Sequence, residues 1–129
     1  MFLATLTQEQ KEAFICLAHN VVVSDGDLTV GEKLMMEDMR REMNLDESFE
    51  PHYLHLDGIE DLFATKRSRS IAMISLIRIA YADGAFEIEE QCLLRDLCLP
   101  FSIAESDFQL IGNWVRRLIS LEAEAGAFL

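Results

Sequence analysis

Two Asp-Gly pairs, Asp25-Gly26 and Asp83-Gly84, are each followed by a glutamate seven residues beyond the aspartate, Glu32 and Glu90. These are the residues whose types and spacing point most directly to chemistry. Each pair follows an apolar run, so the glycine suits the left-handed residue that closes a helix. The aspartate then stands at the negative end of the helix dipole, the unfavourable place for a carboxylate. A bound cation, a basic side chain or solvent would each compensate it. Glu32 has a second role open to it, because Thr29-x-x-Glu32 is a capping box. Glu90 has Glu87 where a Ser or Thr would stand, so the second copy groups Glu87, Glu89 and Glu90 beside Asp83. The first copy offers Asp25, Asp27 and Glu32. Asp25-x-Asp27-x-Thr29 opens like an EF-hand loop, but Val30 stands where the required glycine belongs and Met36 where the bidentate glutamate belongs.

Other residues offer less. His52-x-x-His55 would put two imidazoles on one helical face, but Pro51 and the lack of a matched third ligand argue against zinc. Met35, Met36, Met39 and Met43 fall at helical intervals and read as core packing rather than as a binding groove. Cys16, Cys92 and Cys98 include no C-x-x-C and are expected to be reduced, mostly buried thiols. Trp114 with Arg116 and Arg117 is a candidate partner anchor on the last helix. No nucleophile–base motif or glycine-rich phosphate loop is present, so a non-enzymatic protein is expected.

The elements that position these residues follow from pattern and composition. The 129 residues are 50% apolar, enough for one domain with a real core and too apolar for disorder. Net charge is −12, and residues 1–65 carry 14 acidic against 4 basic side chains. That excludes nucleic acid as a partner and favours cations or proteins with basic surfaces. No stretch is long and apolar enough to span a bilayer. The opening residues lack a basic region and meet Glu9 too soon for a signal peptide, so the expected location is cytoplasmic.

Helical periodicity dominates and no strand-length alternation competes, which makes the chain all-α, a compact bundle of about six to seven helices. Thr7 with Gln10 caps a first helix carrying Phe14, Leu17, Ala18, Val21 and Val22. Thr29 with Glu32 caps the methionine helix. Residues 68–82 are apolar almost all round and read as a central buried helix. Helices over about 88–98 and 104–123 follow, and residues 44–66 are expected to hold one or two short helices.

An internal repeat ties the two acidic motifs together. At an offset of 58 residues Asp25-Gly26 falls on Asp83-Gly84, Glu32 on Glu90, Met35 on Leu93 and Leu45 on Ile103. Repeat 1 spans about 8–50 and repeat 2 about 66–123, within one domain over 1–129. Two like hairpins usually pack about a pseudo-two-fold axis, because their apolar faces are alike.

Val22-Val23-Ser24-Asp25-Gly26 to Glu32, and Ala80-Tyr81-Ala82-Asp83-Gly84 to Glu90, resemble the two repeated motifs of the tellurite-resistance TerB-like family. The resemblance runs from about residue 8 to 122. It implies a helical domain with pseudo-two-fold symmetry, divalent metal binding and a role in stress responses such as tellurite resistance. Domains similar to that family also occur fused to membrane-anchored DnaJ-like co-chaperones, so the partners the resemblance implies extend to a membrane-associated stress complex. Carried onto this chain, the metal ligands are Asp25, Glu32, Asp83 and Glu90, with Asp27 and Glu87 secondary. All-oxygen ligands suit Ca²⁺, Mg²⁺ or Mn²⁺. The expected function is therefore a cation-binding interaction module. The alternative is a structural dimerisation or adaptor domain whose acidic residues only cap helices, with homodimerisation among its modes. A metal-dependent hydrolase is the third and least supported class.

Overall fold

The computed structural model describes residues 1–24, 26, 28–82 and 88–129. All regular structure among them is helical. Six α-helices run in chain order: α1 Gln8–Val23, α2 Val30–Met43, α3 Ile59–Leu62, α4 Lys66–Ala80, α5 Ile88–Cys98 and α6 Glu105–Ala125. Short 3₁₀ turns at Leu3–Thr5 and Gly126–Phe128 flank them. None of the described helices is long and apolar enough to cross a membrane.

Local chemistry sets where the helices start. Thr7 accepts from the Gln10 amide while the Gln10 side chain accepts from the Thr7 amide, and Thr29 with Glu32 forms the same box for α2. A third box, Thr65 with Ser68, opens α4, where serine stands in for the usual Glu or Gln. The basic run Lys66-Arg67-Ser68-Arg69 is the polar first turn of that helix.

α4 is the centre of the bundle. It packs against α1, α2, α5 and α6. None of its residues from Ser68 to Ala80 is exposed. α1 contributes Phe14, Ile15, Leu17, Ala18, Val21 and Val22 to the same core. Met39 and Met43 are buried there and Met35 and Met36 pack on its edge, so the methionine helix serves the core.

The 58-residue repeat is visible in the backbone. α1 and α4 begin 58 residues apart behind capping threonines, and α2 and α5 begin 58 residues apart. The second helix of each unit also stops alike. Asn44 and Ser102 are left-handed, with φ of 52° and 53°. The next amide then returns to a carbonyl five residues back, Leu45 N to Arg40 O at 3.1 Å and Ile103 N to Cys98 O at 3.0 Å. This is the Schellman closure of a helix. Gly26 takes the positive φ expected after α1, 86°.

Between residues 44 and 66 there is one short helix, α3, within the one or two expected. Two expectations are corrected. Residues 49–56 are irregular, because Asn20 of α1 holds that stretch by its backbone. The Asn20 amide donates to Leu54 O at 2.8 Å and its oxygen accepts from Leu54 N at 3.2 Å. His52 and His55 therefore share no helical face. Cys92 is exposed rather than buried, since α5 turns Leu94 and Leu97 inward instead.

Asn20 is itself buried, and replacing it by Ala strands both the amide and the carbonyl of Leu54. Asn20→Ala is expected to lower unfolding free energy by about 1–3 kcal/mol in urea denaturation. An unchanged midpoint would show that the loop is held by other means.

Candidate functional site

The two glutamates of the repeated motif occupy matching places. Glu32 is the third residue of α2 and Glu90 the third residue of α5. Both are buried, at 4% and 2% exposure, although their helix-mates Lys33 and Glu89 face water. Burial of a carboxylate is costly unless hydrogen bonds or a positive charge offset it. For Glu32 part of the offset is plain. Its Oε1 accepts from the Thr29 amide at 3.1 Å and from Thr29 Oγ1 at 2.9 Å. The positive end of the α2 dipole adds to this. Among the described residues no cationic side chain pairs with Glu32. α2 and α5 both pack on α1 and α4, so the two carboxylates are presented by helices anchored in one core.

The other expected ligands, Asp25 and Asp83 with Asp27 and Glu87, lie outside the described residues. Within the described residues no group of three or more His, Cys, Asp or Glu side chains is placed to hold a metal ion. Cys16 Sγ stands 3.7 Å from His52 Nδ1, a pair contact between a buried thiol and an exposed ring. His55 instead meets Tyr53 edge to face, with ring centroids 4.9 Å apart.

The expected partner anchor divides in two. Trp114 and Arg117, three residues apart on α6, share one exposed side of the helix. Arg116 lies to one side of Trp114, although it borders a cleft that Arg117 also lines. It donates to Asn113 Oδ1 and lines a shallow cleft of about 220 Å³ with Tyr81, Gln91 and Arg95.

One electrostatic node was not read from the sequence. Arg95 of α5 pairs with Glu105 at the start of α6 and lies over the Phe108 ring, 5.1 Å from its centroid. The Arg95 hydrogen bond, followed by one from Gln109, holds the Glu105 carboxyl below the usual carboxylate range. Burial pushes the neighbouring Cys98 thiol up to about 11, with Glu105 adding to the shift. The available signal was an Arg and a Glu ten residues apart across a helix end, too common a pattern to single out.

Comparison with protein-family models, with curated proteins and with solved structures finds no match for this chain.

Two outcomes follow from this geometry. Glu32→Gln keeps both halves of the capping box, whereas Glu32→Ala loses one and is expected to cost about 1 kcal/mol in thermal or urea unfolding. Equal losses would mean that the negative charge, and not the cap, is what the site requires. The Cys98 thiol ordinarily titrates near 9.0 and is raised to about 11 in the fold. Between those values the unfolded chain releases a proton that the folded one keeps, so stability falls as pH rises through that window. Cys98→Ala should make this fall shallower than in the parent protein when unfolding is followed from pH 8 to 11. Superimposable pH profiles would show that the thiol is not perturbed.

Proposed function

We propose that this chain is a non-enzymatic TerB-like module that binds a divalent cation beside its two Asp-Gly turns and serves as an interaction domain in a stress response. The observation that carries this reading is the pair of buried glutamates, Glu32 and Glu90. They stand 58 residues apart, each third in a helix that begins in register with the other. The second buried carboxylate stands at the same place in the repeat as the first, and three residues before it the sequence has Glu87 where the first copy has Thr29. Glu32 and Glu90 would hold the ion together with Asp25 and Asp83, and an all-oxygen donor set favours Ca²⁺, Mg²⁺ or Mn²⁺ over zinc. A bound ion would add positive charge beside the first turns of α2 and α5. The acidic first half of the chain suits protein partners with basic surfaces, in the cytoplasm or at a membrane-associated stress complex, and opposes nucleic acid.

A second reading has one specific observation in its favour. The Thr29–Glu32 capping box is complete. In that reading the motif only starts and stops helices, and the domain is a structural adaptor.

Titration with Ca²⁺, Mg²⁺ and Mn²⁺ separates the two. Cation binding to the folded form alone stabilises it by about 2.7 kcal/mol at a hundredfold excess over Kd. Amide signals of both turns should shift together in NMR, and the melting temperature should rise. Asp83→Asn keeps a residue suited to the turn and should abolish that rise without unfolding the protein. Flat responses to all three ions would leave the adaptor reading standing.

A further inference from the structure

α6 has two usable sides. Phe108 and Val115 are buried in the core, with Ile111 and Ile119 packed against it. On the other side Asp107, Leu110, Trp114, Arg117 and Leu121 succeed one another at alternating intervals of three and four residues. That is the spacing of a coiled-coil seam. All five are exposed, and the three apolar ones keep 64%, 37% and 60% of their surface in water. Beside the seam lies a cleft of about 510 Å³ lined by Phe101, Ile103, Leu110 and Ile111, with Asp107, Lys66 and Arg69 also lining it.

We propose that this face binds a second copy of the chain, α6 against α6 and antiparallel, about a two-fold axis level with residue 112. In that register Leu110 of each copy meets Trp114 of the other. Asp107 of each meets Arg117 of the other. Leu121 comes level with Ile103, at the mouth of the cleft, and the acidic helix end carrying Glu124 approaches Lys66. A two-fold makes each contact twice, as a self-complementary interface requires.

Charge complementarity argues for this occupant and this register. Among the described residues neither Asp107 nor Arg117 has an ion pair in its own chain. Ten residues apart on one helix, about 15 Å along its axis, they do not reach each other. Parallel pairing would set Asp107 against Asp107 and Arg117 against Arg117. An antiparallel register bringing Leu110 opposite Leu121 would set Asp107 against Glu124. The register about residue 112 joins opposite charges and apolar side chains at once. This inference does not depend on cation binding.

Sedimentation equilibrium on the intact chain, with Trp114 emission followed over the same dilution series, tests it. Trp114 is the sole tryptophan, so its emission reports this face alone. The expected result is a dimer that dissociates on dilution, with emission moving to the red as Trp114 loses Leu110 of the other copy. Asp107→Arg and Arg117→Asp should each weaken the dimer by at least about tenfold, because each sets like charges opposite each other twice. The double variant should recover dimerisation. Leu110→Ser should also yield monomer with unchanged helix content, which keeps the test informative if a charge variant folds poorly. A monomer at every concentration would overturn the proposal. So would a dimer indifferent to Arg117→Asp, or a double variant no better than the single ones, which would assign the face to a different partner.

Discussion

Between Ser68 and Ala80 helix α4 presents no exposed residue, so neighbours must cover it on every side. A helix with one apolar stripe needs one neighbour; a helix apolar all round needs a shell. α1, α2, α5 and α6 form that shell, and the position of each is fixed by the face it turns towards α4. The buried polar side chains of α4 are small ones, Ser68 and Ser75. Ser68 is consumed by the cap it forms with Thr65. The interior is therefore held by close packing of apolar groups, with hydrogen bonding reserved for the places where the chain enters, leaves or turns.

That constraint explains why the polar features of the molecule gather at helix ends. Thr7, Thr29 and Thr65 start helices, and Asn44 and Ser102 stop them. Arg69 reaches back to the carbonyls of Phe63 at 2.5 Å and Glu60 at 2.9 Å, closing the short α3 turn against the start of α4. Asn20 does the same work for a segment with no regular structure of its own. The two buried glutamates belong to this pattern by position, because both lie in the first turn of a helix, where the dipole favours negative charge. They differ from the rest in placing a carboxyl group out of water. One hydroxyl and one amide from Thr29 reach Glu32, which is ordinary for a cap and modest for a buried carboxylate.

α6 shows how one helix divides its duties. The residues opposite its packed stripe, Asp107, Leu110, Trp114, Arg117 and Leu121, mix apolar and charged types. Phe108 faces inward and also receives the Arg95 guanidinium on its ring, so the α5–α6 corner is fastened by a cation over an aromatic face as well as by the pair with Glu105. Trp114 and Leu110 have no such neighbour within the described residues and remain towards water.

The amino-acid sequence by itself determined the helical class, the capped starts of α1 and α2, the central burial of α4 and the 58-residue repeat. These rest on local rules, namely apolar spacing at 3.6 residues per turn and short side chains that satisfy nearby amides. It also singled out Glu32 and Glu90, because a repeated acidic residue stands out against a repeated apolar pattern. What it could not supply is anything that depends on residues distant in the chain. The irregular path around Pro51, which denies His52 and His55 a common face, comes from Asn20 gripping Leu54 across 34 positions. The exposure of Cys92 and the raised thiol of Cys98 depend on which side of α5 meets the core, and the separation of Arg116 from Trp114 depends on which side of α6 does. Burial of both Glu32 and Glu90 is likewise a tertiary result. A charged residue at a helix start is as easily turned to water as inward, and only the packing of α2 and α5 onto α1 and α4 decided between the two.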